Sequence, residues 1–224
     1  MNFLKNISVA AVLTAGTTAL AGPVVNLAPS QIADGLSGID NSAFVEIRGA
    51  AISDKYIDFS IYSDSRGDAA ELLYEGTLMT RVVRSHMTGN LHFNYRIMDA
   101  NAELAGRVSH VEIAGFGEFD ARVEYRNDSI STGDEGPWSA VRDSSGDIIN
   151  FAFDGGLDTA DESHYFFAML NTDTFFEDSA VATVVLESGE RVALVVDSPT
   201  MTVPAPSSLA LIAGAGLLGA RRRR

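Results

Sequence analysis

Cysteine is absent from the 224 residues. That excludes a disulfide scaffold, a thiol nucleophile and thiolate metal ligation. Tryptophan occurs once, as Trp138, and histidine four times, as His86, His92, His110 and His164. No His-Glu-x-x-His pair sets two imidazoles on one helical face, and the glycines form neither a phosphate-binding loop nor a dinucleotide fingerprint. A Gly-x-Ser-x-Gly nucleophile elbow is also missing. The serines concentrate in turns, where their hydroxyls satisfy backbone groups. The four histidines are expected to be packed or solvated rather than zinc ligands, and no catalytic residue is nominated. Basic residues are scarce, 16 Lys and Arg against 30 Asp and Glu, for a formal charge of −14. Such a balance disfavours a phosphate backbone as partner, so no nucleic acid is expected.

Long apolar runs are confined to two places. Met1 to Asn6 carries one positive charge at Lys5, and Ile7 to Leu20 is apolar and small. Ala19-Leu20-Ala21 fits the small-x-small cleavage rule, with Gly22 as the new N-terminus, and implies a signal helix over 1–21 handled by the Sec export machinery. Val203-Pro204-Ala205-Pro206-Ser207-Ser208 precedes the apolar residues 209–220, and Arg221, Arg222, Arg223 and Arg224 follow. Twelve residues of helix span about 18 Å, short of the roughly 30 Å hydrocarbon core, so flanking residues must contribute if the segment spans. The arginines act as a membrane stop on the cytoplasmic side.

Motif, apolar run and basic end in that order resemble the PEP-CTERM sorting tail of Gram-negative bacteria. Ala205 stands where that family usually has Glu. The resemblance implies handling by an exosortase-like enzyme, transient anchoring in the inner membrane, and release to the cell surface or exterior. It also implies association with exopolysaccharide and biofilm. The tail type is sometimes labelled after ice-binding proteins, which describes the tail and carries no ice-binding activity. The stretches Tyr74-Glu75-Gly76-Thr77-Leu78, Leu91 to Ile97 and Val123-Glu124-Tyr125-Arg126 resemble an uncharacterised domain that accompanies such tails. That second resemblance supplies no activity and no functional residues.

Three segments follow: 1–21, 22–202 and 203–224. Lys5 and the four terminal arginines are five of the sixteen basic residues, and all thirty acids lie in 22–202, which therefore carries −19. Its pattern is β. Leu91, Phe93, Tyr95 and Ile97 alternate with His92, Asn94, Arg96 and Met98; Phe119, Ala121, Val123 and Tyr125 alternate with Asp120, Arg122, Glu124 and Arg126. Period two predicts that the first set of each is core and the second faces water. Further strands are expected at 43–49, 56–62, 72–84, 108–115, 148–153, 164–170, 180–187 and 191–197. A helical turn is expected near 28–36. Turns at 64–67, 133–137 and 143–147 separate the strands, and Gly115-Phe116-Gly117 reads as a bulge or turn. Ser188-Gly189-Glu190 reads as a hairpin, with Val181, Thr183 and Val185 pairing with Val192, Leu194 and Val196. The expected fold is an all-β antiparallel sandwich, of jelly-roll or immunoglobulin-like order, with a hydrophobic C-terminal helix in the tail.

One acidic loop merits separate notice. Asp154, Asp158, Asp161 and Glu162 place four carboxylates in nine residues, and calcium favours clustered loop oxygens. Asp143 and Asp147 form a poorer group. Neither has EF-hand spacing, and the plainer expectation is no cofactor with these acids solvated. The favoured functional reading is a non-catalytic surface or matrix protein. The alternative is a carbohydrate-binding or carbohydrate-active module, in which Trp138 stacks on sugar rather than anchoring its loop. Ice binding comes third, because no regular Thr-x-Thr array offers a flat face.

Overall fold

The computed structural model describes residues 24–42, 44–64, 70–128 and 132–200. The chain is all-β there, with two antiparallel sheets and no α-helix among the described residues. The strands are β1 (Val25–Leu27), β2 (Ile32–Asp34), β3 (Gly49–Tyr62), β4 (Leu72–Ser85), β5 (Leu91–Met98) and β6 (Val108–Ile113), then β7 (Ala121–Tyr125), β8 (Ser139–Arg142), β9 (Ile149–Leu157), β10 (Phe166–Leu170), β11 (Thr174–Leu186) and β12 (Arg191–Thr200). One sheet has the order β1-β7-β10-β5-β4-β3, the other β12-β11-β6-β9-β8-β2. After the β3-β4-β5 meander the chain passes repeatedly between sheets, so most neighbours are distant in sequence.

Alternation explains the core between the sheets. Leu91, Phe93, Tyr95, Ile97 and Val123 are all within 1 % of complete burial. They join Val111, Ile113, Phe151, Val184 and Val196 of the other sheet in a single apolar cluster. Phe166 of β10 sits centrally, 5.0 Å from Phe151 and 5.9 Å from Phe153 between ring centroids, and so bridges the sheets. Each such side chain contributes about 1.5–3 kcal/mol by leaving water, and ring pairs add about 0.5–1.5 kcal/mol.

The expectation that the alternate set faces water holds at Asp120 but is overturned at four positions. His92, Asn94, Arg96 and Glu124 are all buried. Residues 38–42 and 44–48 cover part of the outer face of the first sheet, where Ile39 and Ile47 pack with Phe167 and Met169 in a second apolar cluster. This strap crosses the sheet closely. Gly38 has φ 73°, and a Cβ there would lie 2.6 Å from the Tyr125 ring. The strap is also why 43–49 is not a strand: Val45–Ile47 form a 3-10 turn, and β3 begins only at Gly49. The helical turn expected near 28–36 is instead a turn followed by β2, an edge strand on β8. In the 188–190 hairpin the strands are as expected but the register is not. Val181, Thr183 and Val185 pair with Val195, Ala193 and Arg191. The loop closes with Leu186 N–H donating to Glu190 O and Gly189 N–H to Leu186 O, which sets the pairing one residue away. A one-residue slip moves each side chain to the opposite face, which is why Val181 and Val195 are exposed.

Candidate functional site

Two adjoining clefts lie at one end of the sheets, where the 86–90, 114–120, 143–148 and 171–173 connections meet Asn26–Pro29. Their organiser is Arg142, the last residue of β8, only 2 % exposed. Its Nε donates to Gly146 O at 2.7 Å and its Nη1 to Leu27 O at 2.9 Å. Its Nη2 donates to Phe116 O and Phe119 O, both at 2.7 Å. One guanidinium thus satisfies carbonyls from three segments, a use that needs its planar fork. Burial pushes the Arg142 pKa down, while Asp120, Asp143 and Asp147 act in the other direction. The 114–120 loop is also held by Asp147, whose Oδ1 accepts the Gly115 and Gly117 N–H groups at 3.2 Å each. Gly115-Phe116-Gly117 is accordingly the turn expected after β6.

Phe119 stands between two open clefts and lines both, together with Glu118. The first cleft, about 350 Å³, adds Arg84, Asn90, Asn171 and Asp173; the second, about 440 Å³, adds Asn26, Asp120 and Arg142. Both fall in the size range of small-ligand sites. Arg84 is committed to the Gly89 and Asp173 carbonyls at 3.1 and 3.0 Å. No sequence motif marks this place, because its residues come as short runs from strands and connections that are distant in sequence.

Two buried polar groups lie elsewhere. On the strapped face, Glu124 Oε1 accepts the Gly38 and Tyr125 N–H groups, both at 3.1 Å, and burial raises its pKa. Glu46 of the strap meets Arg122 at 2.6 Å. His92 of β5 is 1 % exposed, with no partner for Nε2. Burial, with Arg122 and Arg126 adding to it, lowers its pKa to about 4. Between the sheets' edges, Lys55 Nζ meets Asp197 at 2.6 Å and Asp178 at 2.7 Å. Asp197 also accepts Ser53 Oγ at 2.8 Å and Asp178 N–H at 3.1 Å.

Of the acids singled out from the sequence, Asp158 and Asp161 both act on Glu135, whereas Glu162 is committed to Arg96. Asp154 is exposed on β9. Asp158 lies 4.0 Å from Arg107 and accepts its neighbours' Thr159 Oγ1 and Ala160 N–H. Glu162 is paired with Arg96. The charge of Asp161 acts on Glu135, whose pKa is raised mainly by burial. Asp143 accepts groups of its own loop, with Ser145 Oγ the first cause of its lowered pKa. Among the described residues no group of three or more His, Asp or Glu is placed to hold a metal ion. His110 lies 3.5 Å from Glu112, a carboxylate two residues on along the same strand face. Trp138 is 54 % exposed beside Gly35, away from both clefts. Ala19, Ala21, Val203, Pro204, Ala205, Pro206 and Arg221 to Arg224 lie outside the described residues. No helix among the described residues is long and apolar enough to cross a membrane. No protein-family model, curated protein or solved structure matches the chain.

Proposed function

We propose that this is an exported, non-catalytic protein of the cell surface or extracellular matrix, sorted by residues 203–224. The observation that carries the reading is the ordered tail: Val203-Pro204-Ala205-Pro206, the apolar residues 209–220, then Arg221 to Arg224. The signal-like residues 1–21 support it. The Sec machinery exports the chain, the tail holds it briefly in the inner membrane, and an exosortase-like enzyme releases it near the motif. The body is an antiparallel sandwich of jelly-roll or immunoglobulin-like kind, and the cluster joining residues of both sheets supports that form. With a formal charge of −19 over 22–202, like-charge repulsion keeps copies apart outside the cell. Deleting 203–224 tests the sorting claim. The truncated protein should shift between membrane, surface and medium fractions; an unchanged distribution would sink it.

The twin clefts favour a second reading, a carbohydrate-binding module within the same exported protein. Phe119 flanked by amides and carboxylates is the observation behind it.

A further inference from the structure

We infer that the sandwich, while its tail is anchored, rests on the bilayer surface by the end where the chain leaves it, with Met87 and Phe176 dipping among the lipid headgroups on either side of that exit. The inference deepens the sorting reading above and rests on it for the anchored tail.

The exit is fixed in place. β12 ends at Thr200, whose carbonyl accepts Thr172 Oγ1 at 2.7 Å and Thr174 Oγ1 at 2.9 Å. The Thr172 carbonyl accepts the Leu91 N–H at 2.8 Å, and Arg84 ties Gly89 O to Asp173 O. The chain therefore leaves beside the 86–90 tip of one sheet and the start of β11 in the other. Eight residues, 201–208, separate Thr200 from the apolar run that begins at Leu209. Even fully extended they span only about 30 Å, so an anchored tail keeps this end within reach of the leaflet. Apolar side chains are exposed just there. Met87, in the tip, is 65 % exposed, and Phe176, two residues along β11 from Thr174, is 63 % exposed. With Ile32, which opens β2 at the same end, they are the three most exposed large apolar side chains among the described residues. Trp138 and Tyr62 are exposed too, but at the opposite end, which the tether leaves farther away. Two apolar side chains make a weak anchor on their own, weaker than a single acyl chain. The tether makes their contact intramolecular and so raises its occupancy, and cleavage near 203–206 removes that advantage and frees the body. Glu118, Asp120 and Asp173 share this end with Arg48, Arg84 and His86, so charge does not drive the contact and salt should change it little.

The absence of cysteine makes the test clean, because one introduced thiol carries the only label. The full chain, including residues 201–224, is reconstituted in phosphatidylethanolamine–phosphatidylglycerol vesicles with a fluorophore on Thr88→Cys, beside Met87, or on Ser188→Cys in the far hairpin; both positions are exposed. Lipids carrying a quencher at headgroup depth should dim the label at Thr88→Cys, at low and high salt alike, and leave that at Ser188→Cys bright. Adding Met87→Ser/Phe176→Ser to Thr88→Cys should abolish the quenching while the protein still floats with the vesicles. Equal quenching at both positions, none at Thr88→Cys in protein that floats, or quenching that survives the double serine change would overturn the inference and leave the sorting reading standing. Shielding of Thr88→Cys from aqueous iodide without lipid quenching would show that a protein partner or second copy covers this end, and would also overturn it. Protein that does not float with the vesicles would overturn both readings.

Discussion

Acidification should loosen the domain through one buried imidazole. His92, 1 % exposed on β5, has Nε2 unpaired, and its pKa falls from the ordinary 6.5 to about 4. Between those values the unfolded chain binds a proton that the folded chain refuses. Stability from this group is therefore complete above about pH 6.5 and is lost progressively down to about pH 4. Two and a half pH units, at about 1.4 kcal/mol each, amount to about 3 kcal/mol. Glu124 on the same face acts in the opposite sense. Its raised pKa means the folded chain takes up a proton first, so falling pH relieves a destabilisation there. Subtraction separates the two. Urea midpoints of wild type and His92→Leu, measured from pH 4 to 7.5, should differ increasingly toward acid, with the variant losing less stability. At pH 7 the variant should be as stable as wild type or slightly more so, because an unpaired buried nitrogen is removed. Parallel curves for the two proteins between pH 4 and 6.5 would refute the reasoning.

Arg142→Met should cost about 3 kcal/mol, since four carbonyls lose a charged donor while only part of that loss is offset by avoided desolvation. Arg142→Lys should recover only part, because an ammonium cannot reproduce the fork; a loss below about 1 kcal/mol in denaturant titration of the methionine variant would contradict the role assigned to it. At the Lys55 pair, Asp197→Ala should cost about 3 kcal/mol, because its side chain is 2 % exposed and removal leaves Ser53 Oγ and Asp178 N–H without their acceptor and Lys55 with the exposed Asp178 alone. Asp178→Ala, at a side chain 65 % exposed, should cost less than about 1 kcal/mol, and the reverse order by thermal melting would show that burial does not govern this network.

Period-two patterning was sufficient for the inner faces of β5 and β7, because each places one apolar set against the other sheet. It misplaced their outer faces. Nothing local to Glu124 announces that Gly38 will donate to it or that Ile39 and Ile47 will cover that sheet face, since a covering segment is a long-range fact. Length was underestimated where polarity interrupts the pattern. β3 begins at Gly49 rather than 56, and Ser53, Asp54 and Lys55 suit an edge strand that must discourage pairing with other chains. β11 begins at Thr174 rather than 180 because its register shifts between Phe176 and Ala180, where Asp178 adopts φ 52°. β8 escaped notice as four residues after Gly136-Pro137-Trp138. The clefts were illegible for a different reason: Asn26 on short β1 and the connection residues Asn90, Phe119 and Asn171 are ordinary until the fold assembles them. Of the carboxylates at 154–162, Asp158 and Asp161 remain near one another, both acting on Glu135, and Glu162 is paired with Arg96.

The central claim is that both ends are addresses removed on the way to the surface, and the most direct measurement is intact-mass analysis with terminal sequencing of the surface-associated form. The account expects a chain that begins at or within a few residues of Gly22, ends near Val203 to Pro206, and lacks Leu209 to Arg224. A surface form with the mass of the uncut chain, starting at Met1 and ending at Arg224, would contradict it.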